Sequence, residues 1–180
     1  MCPTGIPSDT AEPLVGGETF RFVATLAKEL GIFIHASLYE ATGFADGRGL
    51  NTAIVIDDQG QLVGRTPKLH IPVTEGYFED KYFQEGPNQD PYPTYELELP
   101  GSPALGLPTC WDEWFPEVAR AYGLAGADII KRMAAASASA SAAVSGRVSA
   151  VTASAAAALA MISVARLATG ADSAEMEMFS

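Results

Sequence analysis

Leu105-Gly-Leu-Pro-Thr-Cys110-Trp-Asp-Glu-Trp-Phe-Pro-Glu-Val-Ala-Arg120 changes its hydrophobic period at the cysteine. Before it, Ala104 to Thr109 is an apolar run of buried-strand length. Pro108 assigns that run to a strand end, a bulge or an edge. After it, Trp114, Phe115, Val118, Ala119 and Tyr122 recur at helical spacing. Pro116 suits a first helical turn, and Gly123 is placed to end the helix. Cys110 is therefore expected where a strand turns into a helix. Unpaired N–H groups and the positive end of the helix dipole stabilise a thiolate at such a place. A lone cysteine is ordinarily a small buried hydrophobe, so the residues around it decide its reading.

Working back from this segment, Thr94 to Glu98 alternates polar and apolar residues and predicts a strand. Thr74 to Pro87 is aromatic-rich and reads as a packed loop anchored by Tyr77, Phe78, Tyr82 and Phe83. Thr52–Ile56 and Gln61–Gly64 flank Asp57-Asp-Gln-Gly60, which predicts a hairpin with glycine in the left-handed position. Ile32 to Leu38 is a strand-length apolar run interrupted by His35, which reads as a satisfied core or sheet residue. Glu18 to Leu30 is predicted as a helix, with Phe22, Val23, Leu26, Ala27 and Leu30 as its apolar stripe and Gly31 as its stop. Met1 to Gly17 reads as irregular. Helix, strand and hairpin in this order imply an α/β layer with adjacent antiparallel strands.

The chain has 180 residues, enough for one domain with a core, and a formal charge of -11. Residues 1–130 carry 7 Lys/Arg against 19 Asp/Glu, so the acidity belongs to the patterned part. Such a surface repels nucleic acid and anionic membranes, which argues against both as partners. Cys2 and Cys110 make no disulfide framework, and Cys2 reads as an inert terminal thiol. The N-terminus carries no basic region followed by an apolar core, so a cytoplasmic setting is expected.

Pro-Thr-Cys110-Trp-Asp-Glu-Trp-Phe-Pro-Glu resembles the nucleophile segment of the carbon–nitrogen hydrolases, the nitrilase superfamily. The likeness is nearest to the branch that cleaves N-carbamoyl compounds, such as N-carbamoylputrescine amidases. It runs from about Ala11 to Ile130 and includes Ala-Lys-Glu-Leu-Gly-Ile and Gly-Leu-Asn-Thr-Ala-Ile-Val-Ile. From the residues alone Lys68 reads as a solvated surface charge. In the resemblance Lys68 matches the catalytic lysine of an Arg-Lys-x-His-x-Pro type motif, with Pro67 departing from the residue usual before it. Glu79, in Gly76-Tyr-Phe-Glu79-Asp-Lys-Tyr-Phe83, falls on the family's second active-site glutamate. Trp111 and Tyr77 are then expected to contact substrate.

The resemblance implies a partial α-β-β-α sandwich over residues 11–130, a homodimer, and neither metal nor cofactor. The reaction implied is hydrolysis of a non-peptide C–N bond in a small amide, N-carbamoyl amine or nitrile through a cysteine thioester. The family's general base is a glutamate on an early strand, and the matching region is absent here. Glu12, Glu18 and Glu40 lie in other motifs and are not assigned that part. Activity is accordingly expected to be impaired. The alternative is a non-catalytic fragment or interaction module that pairs with an intact homologue.

Residues 131–180 form an Ala/Ser-rich tail: Met133 to Ser180 holds 18 Ala and 9 Ser. This composition suits an out-of-frame reading of a GC-rich gene, and a helical or disordered tail is expected. Val148 to Ala165 is uncharged, yet its Ala/Ser content makes an Ala-rich helix the better reading than a membrane span.

Overall fold

The computed structural model describes residues 11–75 and 77–131, and the backbone of residues 162–165. The expectations for Met1 to Thr10, Cys2 included, lie outside the described residues.

Helix α1, Glu18–Leu30, has the bounds its apolar spacing predicts. Gly31 ends it at φ 63°, donating its N–H to the Ala27 carbonyl. That left-handed turn is open to glycine at little cost. At the other end Gly17 offers no capping side chain, and Glu12 Oε2 accepts the Thr19 N–H at 2.8 Å instead. A Cβ on Gly17 would collide with that carboxylate. The buried stripe is Thr19, Val23 and Ala27. Phe22, expected in the stripe, is turned to solvent.

Against α1 lies a sheet of β1 (Ile34–Glu40), β2 (Leu50–Ile56), β3 (Leu62–Pro67) and β9 (Ile162–Ala165), in the order β3-β2-β1-β9. β1 starts two residues later than the apolar run, because Ile32 still donates its N–H to Ala27 at the helix end. β2 and β3 form the expected antiparallel hairpin. Asp57 Oδ1 accepts the N–H groups of Gln59 and Gln61 at 2.9 and 2.7 Å, and Gly60 takes φ 80°. Pro67 closes β3 on the sheet edge, where the lost N–H deprives no neighbour. β9 runs parallel to β1. It is a strand inside the tail expected to be helical or disordered, and the rest of that tail lies outside the described residues.

Side chains alternate across β1 and β2. Ile34, Ala36, Leu38, Ile54 and Ile56 pack with Val23 and Ala27 of α1. On the opposite face, Ala53 and Val55 share a second core with Phe33, Leu97, Leu105 and Leu107. That core joins a second sheet, β6 (Thr94–Glu96), β7 (Ala104–Gly106) and β8 (Ile129–Ile130), in the order β6-β7-β8. Helix α2, Pro116–Leu124, covers its outer face with Val118 and Tyr122 buried. Gly106, next to inward-facing Leu105, is glycine because a Cβ would strike the Tyr122 ring. The layers are thus α-β-β-α, as the resemblance implies. A short hairpin, β4 (Val73–Thr74) with β5 (Tyr77–Phe78), projects from them.

His35 lies on the inter-sheet side of β1 and is fully buried. Among the described residues neither ring nitrogen has a hydrogen-bond partner, which differs from the satisfied residue expected. Burial, and secondarily Lys131, lower its pKa to about 3. Leu105 is also fully buried between the sheets. Leu105→Ala is expected to lower unfolding free energy by about 2–5 kcal/mol, through lost transfer energy and a cavity. Urea denaturation checks this, and a loss below about 1 kcal/mol would contradict the inter-sheet packing.

Candidate functional site

Lys68 follows β3 directly. Its backbone continues the sheet for one more bond, N–H to Asn51 carbonyl at 2.8 Å, while its own carbonyl accepts the Gly86 N–H at 2.8 Å. The side chain is not the solvated charge its composition alone implies, for Lys68 is 1% exposed. Burying an ammonium needs a partner. Glu79 Oε2 supplies it, accepting from Lys68 Nζ at 2.7 Å.

Glu79 opens a single 3-10 turn, Glu79–Lys81, after β5. Its carbonyl accepts the N–H groups of Tyr82 and Phe83, both at 2.9 Å. Tyr82 is buried, and Phe83 packs edge-on against Tyr39 with centroids 5.0 Å apart. These two are the anchors expected of the aromatic loop. Tyr77 and Phe78 are not, since both are exposed on the β4–β5 hairpin.

Cys110 begins a five-residue 3-10 helix, Cys110–Trp114, and α2 starts separately at Pro116. The expected continuous helix from Cys110 is therefore two elements. Pro116 opens the second, which runs past Gly123 to Leu124, and Gly126 at φ 88° follows its end. Trp114 and Ala119, expected in the buried stripe, are exposed. Cys110 itself has φ 51°, a left-handed conformation costing a residue with a Cβ about 1–2 kcal/mol. Such positions persist where the surroundings over-determine them, and they concentrate at functional sites.

The thiol differs from its expected state. Burial pushes the Cys110 pKa up from its ordinary value. Lys68 opposes this, Glu79 and Glu113 add to it, and the Trp111 N–H favours the thiolate. Five residues of 3-10 helix give too little dipole to overcome desolvation. Near neutral pH the site holds a thiol beside a buried lysine–glutamate pair. Deprotonation then needs a base.

Asp112 ties the two loops together. This buried carboxylate accepts the His70 N–H at 2.8 Å and the Thr109 N–H at 3.2 Å, and contacts His70 Nδ1 at 2.7 Å. The His70 ring stacks on Phe115, with centroids 4.2 Å apart. The segment after Lys68 is thereby clamped to the turn that carries Cys110. His70 and Asp112 each stand two residues beyond a candidate site residue, inside the two motifs quoted above, but the motifs gave no sign that the two residues meet.

A cleft of about 390 Å³ opens alongside, lined by His70, Glu85, Tyr92, Trp111 and Phe115 among others. Trp111, expected to contact substrate, lies in its wall. Cys110, Lys68 and Glu79 are not in its walls, and neither is Tyr77. Of the remaining carboxylates, Glu40 accepts Arg65 Nη2 at 2.8 Å and Thr52 Oγ1 at 2.6 Å, on the α1 side of the first sheet. Among the described residues there is no cluster of three or more potential metal ligands. No helix among them is long and apolar enough to cross a membrane.

Known proteins resemble this chain in sequence and in fold. A family model described as carbon-nitrogen hydrolase matches residues 3–173. The N-carbamoylputrescine amidase of Solanum tuberosum is 36% identical over 120 residues, which are 67% of this chain and 37% of that protein. The carbon-nitrogen hydrolase of Helicobacter pylori G27 superposes with a TM-score of 0.58 at 30% identity, over 72% of this chain and 44% of that one. An amidase from Nesterenkonia sp. AN1, with acrylamide added to its active-site cysteine, gives 0.54 at 26% identity, over 64% and 41%. The chain thus spans about two fifths of the length of these relatives. A family match over nearly all of its residues, on a fold these hydrolases share, establishes that this chain belongs to the carbon–nitrogen hydrolase family.

Proposed function

We propose that the chain hydrolyses a non-peptide C–N bond in a small amide or N-carbamoyl amine, with Cys110 as nucleophile. The observation that carries this reading is the buried Lys68–Glu79 pair acting on the thiol of a cysteine held at φ 51°. The Cys110 thiolate adds to the carbonyl carbon, and the developing oxyanion is met by the Lys68 ammonium and the Trp111 N–H. Collapse expels the amine and leaves a thioester, which water then cleaves. Glu79 holds Lys68 in position throughout. Cys110, a free cysteine among the described residues, supports a reducing, cytoplasmic compartment. Trp114 and Leu124, each 76% exposed, flank α2 at its two ends and support a homodimer.

The test is ammonia release from N-carbamoyl amines, together with mass spectrometry after acrylamide treatment, since a relative's cysteine takes up that reagent. The chain is expected to release ammonia slowly, its activity impaired without the family's early glutamate, and to carry an adduct at Cys110, and Cys110→Ala to do neither. Ammonia release equal in both proteins would remove Cys110 from the reaction. An inert chain that copurifies with an intact homologue would favour the non-catalytic module instead.

A further inference from the structure

Gly64, Thr66 and Lys68 alternate onto one face of β3 and its extension, the face that meets the second sheet. Tyr95, on β6 of that sheet, lies along this row. A Cβ on Gly64 would come within 2.8 Å of the Tyr95 ring, so the glycine leaves the ring its seat. From there the hydroxyl reaches the Thr66 hydroxyl at 3.0 Å and the Arg65 carbonyl. The direction of both bonds is fixed. Tyr95 has one hydroxyl proton and gives it to the Arg65 carbonyl, so Thr66 donates to the Tyr95 oxygen. Burial pushes the phenol pKa above its ordinary value, which keeps that proton in place at neutral pH.

The Arg65 carbonyl needs such a donor. Among the described residues β3 is the edge strand of its sheet, with β2 as its neighbour. Lys68 donates its N–H to Asn51 of β2. In antiparallel pairing alternate residues bond the same neighbour, so Thr66 also faces β2, while Arg65 and Pro67 face the free edge. The Tyr95 hydroxyl therefore stands where a further strand would donate, three residues before Lys68. Pro67, its φ fixed by the ring, passes that hold stiffly to Lys68.

We propose that Tyr95 is a positioning residue for Lys68, its hydroxyl pinning the edge of β3 so that the ammonium is held toward Glu79 and the Cys110 thiol. Without that hydroxyl an edge carbonyl and a buried threonine hydroxyl lose their partner, and the strand end that carries Lys68 loosens. The inference rests on Lys68 meeting the oxyanion in the proposed hydrolysis. It gives the second sheet a part in aiming that charge.

Tyr95→Phe keeps the ring against Gly64 and removes the hydroxyl alone. Iodoacetamide labelling of Cys110 across pH reads the consequence, because Lys68 is the cation that lowers the thiol's pKa. The midpoint is expected to rise by about 0.5 pH unit, a part of what an adjacent charge contributes. Thr66→Val, which takes away the other hydroxyl, should give a smaller rise, and Thr66→Ser, which keeps it, none. Should Tyr95→Phe not fold, Thr66→Val carries the same comparison. With Lys68→Met and Glu79→Gln already in place, Tyr95→Phe should leave the midpoint where it is. A midpoint unmoved in the parent chain, or a rise that persists without Lys68, overturns the proposal. Ammonia release is the second readout: in Tyr95→Phe kcat should fall by about 10-fold with KM little changed. A parent chain that releases no ammonia defeats the proposed hydrolysis, and the labelling comparison still decides the part of Tyr95.

Discussion

Lys68→Met is expected to lower unfolding free energy by about 3–5 kcal/mol and to push the Cys110 thiol still further from ionisation. Both effects follow from one atom. Lys68 Nζ lies in a side chain with no solvent exposure, 2.7 Å from a carboxylate whose side chain is 13% exposed. Methionine fills similar volume, so little of the loss comes from a cavity. What remains is Glu79 without its counter-charge in a site that water reaches poorly, and such a charge is costly. Lys68 is also the cation that lowers the Cys110 pKa, so removing it raises the labelling midpoint. Lys68→Met combined with Glu79→Gln separates the two consequences. Taking away both charges should restore most of the stability while leaving the thiol poorly reactive, giving a coupling energy outside simple additivity. Urea denaturation and iodoacetamide labelling across pH measure the two quantities. Equal losses for the single and double variants would mean that the ion pair does not couple the residues, and an unmoved midpoint would detach Lys68 from the thiol.

The parts of the fold legible in the sequence are those governed by local periodicity. α1 has its predicted bounds because its apolar spacing and Gly31 both act within a few residues. The Asp57–Gly60 turn was legible for the same reason. Cys110 was legible as a junction, yet its helix divides in two because Pro116 is better placed at the start of a new α-helix than within the 3-10 turn. That division matters chemically. The thiolate-stabilising dipole expected from a long helix is replaced by desolvation, and the pKa moves the other way.

The approach of Lys68, Glu79 and Cys110 could be expected only through the family likeness, because composition alone leaves Lys68 in solvent. Three loops bring them together, and no sequence period links those loops. The Asp112–His70 clamp was hidden for the same reason: its partners are 42 residues apart. Tyr77 differs from these. Its motif position suggested a substrate contact, but the hairpin that carries it leaves the ring 51% exposed and outside the cleft. The β9 strand was masked by an Ala/Ser composition that carries little strand signal.

His35 is expected to make the protein acid-sensitive, and His35→Leu to remove that sensitivity. The imidazole lies between the two sheets, fully buried, with neither nitrogen hydrogen-bonded among the described residues. Burial first, and the Lys131 charge second, hold its pKa at about 3 in the fold, against 6.5 when unfolded. Between these values the unfolded chain binds a proton that the folded chain refuses, so stability rises with pH across that window. His35 therefore leaves stability undiminished above about pH 6.5, and the loss grows as pH falls toward 3. The slope approaches about 1.4 kcal/mol per pH unit, or about 2–3 kcal/mol by pH 4.5. Carboxylates titrate in the same range, so the informative quantity is the difference between the parent chain and His35→Leu at each pH. At pH 7 leucine should already stabilise by about 1–3 kcal/mol, because it removes two buried polar atoms that lack partners among the described residues. At pH 4.5 the advantage should be larger by about 2–3 kcal/mol. Urea midpoints at the two pH values decide it: an advantage that stays constant would mean that the ring is neutral or hydrated equally in both states. The inter-sheet layer around Phe33, Val55 and Leu105 would then be wetter than its packing indicates.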